Sequence, residues 1–416
     1  MIDNQIYNLI KKEEKRQNNC LELIASENYP SKEIVKVMSS VLTCKYAEGY
    51  PGKRYYGGCE YIDKIENIAI ERACKLFNCK YANVQPHSGS QANAAAYRAL
   101  EVKLKKEGKL VDRKMKILTV ELNDGGHLTH GSPVSFSSNL YDFCFFKLDE
   151  FGYIDFKLVE EAIQKYKPDI LMSGYSAYPY EINFKEFKRL ADLYDLKFIV
   201  DMAHIAGLVA TGYQDNPCKY ADIVTTTTHK TLRGPRGGLI LTNNEELYKY
   251  INSAVFPYYQ GGPLEHVIAA KAICFREASK KSFKTYIKKV INNTAAFSNT
   301  LKSLDCICTC TDNHLVLLNV KDTFGITGLE AQNKLEKIGI TTNKNMIPND
   351  TEKPNTTSGL RIGFAALTTR GCNENMAEYI ARLIYYYLLG TITIKSAKNQ
   401  VENCISLLKE IRYEII

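Results

Sequence analysis

No apolar run in this sequence approaches the ~18 residues that a membrane-crossing helix needs, so no membrane partner is expected. The opening segment, MIDNQIYNLIKKEEKRQNNC, starts polar and carries acids early. It reads as neither a signal nor a transit peptide, and a cytoplasmic location is expected. Metal-ligand spacing is also missing. The seven histidines form no H-x-x-x-H pair, and the 13 cysteines form no paired C-x-x-C pattern. An odd cysteine count without a disulfide framework fits a reducing compartment. The tightest cluster, Cys306, Cys308 and Cys310, would share one face if it lies on a strand; an ordinary strand of small residues is the expectation, and no metal. Internal repeats and low-complexity tracts are absent, and charge is close to balanced. Lys and Arg number 54 against 46 Asp and Glu, a net +8. Spread over 416 residues, that excess suits anionic small ligands and is too diffuse to argue for nucleic acid.

The chain has an ordinary globular composition, 45% hydrophobic and 24% charged, and is long enough for two or three domains. The stretch to about Arg16 reads as a polar helix. Ile62, Ile65, Ala69, Ala73 and Leu76 recur at helical spacing within Cys59–Phe77. Strands are predicted at Ile117–Val120, Ile170–Ser173, Phe198–Val200, Ile223–Thr226 and Leu239–Thr242, with amphipathic stretches between them. This alternation predicts an α/β domain with a largely parallel sheet. Beyond about residue 280 the texture changes. Strands at Leu315–Val320 and Gly359–Phe364, a helix at Gly328–Ile338 and long C-terminal helices predict a smaller α+β domain. The expected organisation is an N-terminal arm over 1–43, a large domain over 44–279 and a small domain over 280–416. The Lys/Glu-rich stretch 101–116 reads as a solvated helix and loop.

Four constellations carry chemistry. The predicted strand Phe198–Val200 ends in Asp201, followed by Met202, Ala203 and His204. In an open α/β sheet, ligands sit at the carboxyl ends of strands. An acid there suits a metal, a ribose or a protonated ring nitrogen, and equally an ordinary helix cap. Next, TTTTHK (Thr225–Lys230) ends another strand and runs into TLRGPRGG. A lysine in that setting is costly to desolvate unless its amine is neutral or becomes an imine. Third, HSGSQAN (His87–Asn93) precedes AAAYRAL. Ser88, Gly89 and Ser90 fall where a helix begins, offering free amides and hydroxyls to an anion. Lysine, aspartate and phosphate cradle together match pyridoxal phosphate chemistry. Fourth, YAEGYPGKRYYGG (Tyr46–Gly58) lacks the spacing of a nucleotide-binding P-loop. It offers phenols, an acid and glycines for close approach, with Glu48 suited to proton transfer.

These motifs, together with IASENY (Ile24–Tyr29), GGHLTHGSP (Gly125–Pro133), VFPYYQGGP and SGLRIG, resemble the serine hydroxymethyltransferase family, in the family's order across nearly the whole chain. The resemblance implies a fold-type I pyridoxal-phosphate transferase, aspartate-aminotransferase-like, with a mostly parallel seven-stranded sheet in the large domain. It implies a homodimer or dimer of dimers with shared active sites. The implied reaction converts serine and tetrahydrofolate to glycine and 5,10-methylenetetrahydrofolate, reversibly. By motif position, Lys230 would carry pyridoxal phosphate as an imine and Asp201 would face the pyridine nitrogen. His127 would stack on the ring, and His204 and Ser176 would sit near its phenolic oxygen, with Ala203 in the same pocket. Ser88, Gly89, Ser90 and His229 would surround the phosphate, joined by Tyr46 and Gly262 of a second subunit. Arg361, helped by Ser26, would clamp the substrate carboxylate. Glu48, also from the second subunit and partly buried, would handle the hydroxymethyl proton beside Tyr56. Thr227 would belong to the catalytic set, and Arg236 would shape the pocket near Lys230. Leu122, Gly126, Leu128 and Asn345 would line the folate slot.

Three places depart from the family pattern. Phe364 and Ala365 stand where a Thr-Pro is usual. Asn355 stands where bacterial members commonly have Phe, and Asp124 where many have His. Stretch 101–116 is also long. The folate half is therefore the less regular one. A folate-independent aldolase acting on β-hydroxy amino acids would share Lys230 and Asp201. A catalytically weak RNA binder is disfavoured by the absence of a basic–aromatic cluster.

Overall fold

The computed structural model describes residues 3–413. They form two compact units. One is Pro30–Lys284; the other is the chain up to Tyr29 joined to residues from Thr285 onward. This differs from an arm over 1–43. After a first helix, Asn4–Asn18, strand β1 (Leu21–Glu22) pairs parallel with a strand near residue 340, so the segment belongs to the C-terminal unit. The two units divide between Lys284 and Thr285, a few residues past the expected 280 and within a helix, Lys281–Ser303.

The larger unit opens with a short hairpin, β2 (Gly49–Tyr50) and β3 (Lys53–Arg54), and a helix, Glu60–Phe77, that ends at left-handed Asn78. Seven strands follow: β4 (Tyr81–Asn83), β5 (Lys116–Val120), β6 (Asp142–Phe146), β7 (Ile170–Ser173), β8 (Lys197–Asp201), β9 (Ile223–Thr227) and β10 (Gly238–Thr242). They form one sheet in the order β4-β10-β9-β8-β7-β5-β6. The pairs from β6 to β9 are parallel, while β10 runs antiparallel to both β9 and β4. Strands β7, β9 and β10 are buried at every position, the signature of a sheet covered on both faces. All five strands expected in this unit are present; β4 and β6 were not expected. The Lys/Glu-rich stretch continues the helix Gly89–Lys106 and then loops, pinned by Lys105–Glu101, Lys109–Asp195 and Arg113–Asp169 ion pairs.

The other unit holds β11 (Leu315–Asn319), β12 (Ile340–Thr341), β13 (Asn343–Asn345) and β14 (Gly359–Gly363). Strands β11, β14 and β13 form an antiparallel sheet in that order, and β1 pairs with β12. The helix Gly328–Lys337 starts with a Thr327–Glu330 capping box. Helices Glu374–Leu388 and Ile394–Ser406 close the chain. Cys306, Cys308 and Cys310 do not share a strand face. Only Cys308 makes an isolated bridge, to Leu318, and the three grade from buried to exposed.

Candidate active site

The carboxyl ends of β8 and β9 bring the expected residues together. Asp201 is the last residue of β8 and lies opposite Thr225 on β9. Both oxygens of its carboxylate are held: Oδ1 accepts from the Ala203 amide at 3.0 Å, and Oδ2 from Asn93 Nδ2 at 2.9 Å and His130 Nε2 at 3.3 Å. Burial alone would favour a neutral carboxyl. The hydrogen bond and charge of His130, the charge of His127 and the Asn93 amide outweigh it and hold Asp201 well below the usual carboxylate range. The close approach of the two loops depends on Gly174 after β7. Its φ is +98°, and a Cβ there would fall 1.9 Å from the Asp201 carbonyl oxygen.

Asn93 organises this centre. It lies on the Gly89–Lys106 helix and donates to Thr129 Oγ1 at 2.9 Å as well as to Asp201. Its own oxygen accepts from Thr225 Oγ1 at 2.6 Å. One buried amide thus ties the helix, β8, β9 and the His127–His130 loop together. Thr129 in turn sits 2.7 Å from His127 Nδ1. His127, His130 and Asp201 place donor atoms within 4.8 Å of one another, a spacing that a cation also favours. Their hydrogen bonds to Thr129, Asn93 and each other already account for it.

Lys230 follows β9 and is buried. Its loop is closed by Thr228 N donating to Gly237 O and Arg233 N donating to Lys230 O. Thr231 Oγ1 donates to the His204 carbonyl at 2.8 Å, which joins this loop to the one after Asp201. Beside it, the Ser88 hydroxyl caps the Gly89–Lys106 helix by accepting from the Gln91 amide at 3.2 Å. A Cβ on Gly89 would lie 2.6 Å from the Thr227 methyl, so the helix start abuts the end of β9. Two buried polar atoms here have no hydrogen-bond partner, Thr227 Oγ1 and His229 Nδ1. Burial, with the charges of Lys230, Arg236 and Lys271, pushes the His229 imidazole down to about 3. Unpaired donors, cations and a helix N-terminus beside a buried lysine and an ionised aspartate fit a phosphate-bearing pyridine aldehyde.

A second grouping in the same unit carries Glu48. Tyr46 OH donates to Glu48 Oε1 at 3.3 Å, and the Tyr46 and Tyr56 ring centroids are 5.0 Å apart. A Cβ on Gly262 would meet the Tyr46 ring at 3.5 Å, and one on Gly261 would meet Glu48 Oε1 at 3.1 Å. Glu48 is half-buried and both tyrosines are exposed. Beneath, Arg54 bonds buried Glu66 at 2.6 Å and fixes the hairpin.

The folate-slot residues Leu122, Gly126 and Leu128 lie in the loop after β5. That loop is joined to the one after β7 by Ser176 N donating to Gly125 O at 2.8 Å. Leu128 is half exposed, and Asp124 is buried with Lys147 3.5 Å away.

In the other unit Arg361 is central on β14, between Leu317 and Asn343, and its Nε donates to Asn343 Oδ1 at 3.3 Å. Burial pushes its guanidinium down to about 10. Ser26 adjoins Ala25, on whose Cα a Gly363 Cβ would press at 2.5 Å, so the Ser26 loop lies against the end of the Arg361 strand. Asn345 ends β13. Of the departures, Phe364 is fully buried against Phe297 with centroids 5.1 Å apart: it fills this unit's core. Asn355 is an exposed turn residue.

Asn93, Thr129 and His130 stand inside the HSGSQAN and GGHLTHGSP motifs, which by themselves assign those three residues no role. Their signal was position: one helical turn beyond the Ser88 cap, and three residues after His127.

Sheet order, buried lysine and ionised aspartate define a pyridoxal-phosphate enzyme of fold type I. The serine hydroxymethyltransferase family model matches residues 1–384. A serine hydroxymethyltransferase of Mycoplasma capricolum subsp. capricolum is 48% identical over 414 residues, covering 99% of this chain and 95% of the relative. The chain belongs to the serine hydroxymethyltransferase family. Its reaction is the pyridoxal-phosphate-dependent interconversion of serine and glycine with tetrahydrofolate as co-substrate. Among the described residues no helix is long and apolar enough to cross a membrane.

Proposed function

We propose that Lys230 is the residue to which pyridoxal phosphate is joined and that Asp201 faces its ring nitrogen. The observation that carries this is the Asp201 network: a buried carboxylate kept ionised by Asn93 and His130, next to the loop that bears Lys230. When bound, the cofactor supplies an electron-poor ring that draws electron density from the amino acid's α-carbon. Asp201 holds a proton at the ring nitrogen. His127 would cover one ring face, and His204 and Ser176 would serve the phenolic oxygen, with Ala203 beside them. Ser88, Gly89, Ser90 and His229 take the phosphate, and Thr227 stays with Lys230 in the catalytic set. Arg361, supported by Ser26, binds the substrate carboxylate as a two-pronged donor. Leu122, Gly126, Leu128 and Asn345 line the folate slot.

The working enzyme is a homodimer in the cytoplasm. Glu48, Tyr56, Tyr46 and Gly262 of one copy complete the site of the other, and Glu48 moves the proton of the serine hydroxyl oxygen. Exposed aromatics around Glu48 support this, since Tyr46, Tyr55 and Tyr56 are 56%, 75% and 48% exposed and call for a covering surface. Thirteen free thiols suit a reducing cytoplasm.

Subunit mixing tests the shared site. Lys230→Ala and Glu48→Ala should each be inactive alone. Random reassortment of the two should restore about a quarter of wild-type specific activity, because half of the dimers regain one complete site. No recovery, with hybrids present by native mass spectrometry, would place Glu48 in the site of its own chain.

A further inference from the structure

Lys271 lies on the helix Glu265–Ala278 and takes no part in the chemistry above. It is 1% exposed, among the most deeply buried side chains of the protein. Its Nζ donates to three backbone carbonyls: Val84 at 2.6 Å, Gly238 at 2.7 Å and Pro86 at 3.0 Å. Burial pushes the ammonium down to about 7. Three acceptors nevertheless require three N–H donors, which the ammonium has and the neutral amine lacks. The three carbonyls therefore hold the proton on.

The partners of Lys271 are not scattered. Val84 and Pro86 belong to the segment that leads from β4 into the Ser88 cap. Gly238 opens β10, immediately after the loop that carries Lys230. Pro86 O also accepts from Gly238 N at 2.9 Å, and Gln260 spans the carbonyl of Gln85 and the amide of His87. All three carbonyls from Val84 to Pro86 are thus spoken for. Contact around the ammonium is tight. A Cβ on Gly237 would lie 2.4 Å from Lys271 Cε, and one on Gly238 2.3 Å from the Ser88 carbonyl oxygen. The positive charge is felt in the site, since Lys271 contributes to the lowering of both His87 and His229.

We infer that Lys271 is a positioning residue for the phosphate cradle: from behind, its ammonium fixes the backbone that presents Ser88, Gly89 and Ser90, and it adds positive potential for a phosphate monoester dianion. The inference rests on the reading of Ser88–Ser90 as the phosphate site. Three carbonyl dipoles converging on one buried cation make the segment rigid, and a buried cation is screened less by salt than one in solvent. Lysine is needed here for its charge and its three donors together.

The test compares binding of pyridoxal phosphate with that of pyridoxal, which lacks the phosphate, to the cofactor-free protein by equilibrium dialysis. Lys271→Met removes charge and donors at similar volume. Lys271→Gln keeps donors without charge and serves if the first variant does not fold. Ser90→Ala is measured beside them. Lys271→Met should weaken pyridoxal phosphate about 10- to 100-fold, as loss of a supporting shell does at other preorganised sites, and leave pyridoxal affinity unchanged. The His229 ring protons should titrate at higher pH by NMR. Equal weakening of both ligands, or of neither, with an unshifted His229, would overturn the inference. If Ser90→Ala also fails to separate the two ligands, the cradle reading itself falls. If it separates them and the Lys271 variants do not, only the role of Lys271 falls.

Discussion

Asp201→Asn should fold and lose about a thousandfold in turnover, the scale seen when a preorganised electrostatic partner is removed from a buried site. The change is nearly isosteric, but it removes the charge and turns one acceptor into a donor. Oδ1 faces the Ala203 amide, and Oδ2 faces the Asn93 amide and His130. An asparagine must therefore set a donor against a donor on one side. Rotating Asn93 to cure the clash would break its bond from Thr225 Oγ1. A stability loss of ~1–3 kcal/mol is expected from the mispaired buried group, readable in urea denaturation followed by circular dichroism. The pH behaviour follows from the direction of the shift. The carboxyl is held below its ordinary 3.8 in the folded protein. Its contribution to stability is complete above that value and is lost as pH falls through the lower folded one. The charge on Asp201 is therefore constant at every pH near neutrality, and wild type should show an acid-unfolding component that the variant lacks. Unchanged turnover in a folded Asp201→Asn enzyme would remove this carboxylate from the mechanism.

Arg361→Ala should raise the KM for serine about 30- to 4,000-fold, from the ~2–5 kcal/mol lost when one partner of a buried charge pair is truncated. The strand position explains the size of the effect. Arg361 pairs with Leu317 and Asn343 in the middle of a three-stranded sheet, so its backbone cannot shift to let another residue take over. Burial already disfavours the charged guanidinium, and a carboxylate ligand relieves that cost. Arg361→Lys should restore only part of the affinity, since a point ammonium lacks the planar fork. Steady-state kinetics over serine concentration separates the cases. A fall in kcat with KM unchanged in Arg361→Ala would show that this arginine does not set amino-acid affinity.

Much of this architecture was legible from residue pattern. The five strands read in the large unit are short, largely apolar segments, and each lies within a residue or two of its expected place. Strand β4 was missed because its three residues, Tyr81–Asn83, are too short to show a period. Strand β6 was missed because its aromatic run lies at the edge of the sheet and alternates only partly in burial. The domain boundary was displaced because a continuous helix crosses it. At the site, the types of residue named their chemistry: a lysine and an aspartate after buried strands, and a serine-glycine turn before a helix. What pattern alone did not give was the support behind them. Asn93, His130 and Lys271 act through contacts between segments far apart in sequence. Phe364 departs from the family pattern beside the SGLRIG motif, and it packs into the core against Phe297.

Peptide mapping after borohydride reduction of the pyridoxal-phosphate-loaded protein tests the central claim most directly, because reduction makes the cofactor's attachment permanent. The account predicts one pyridoxyl group per chain, on the peptide that contains Lys230. A pyridoxyl group on Lys271 or on any other lysine, with Lys230 unmodified, would contradict it.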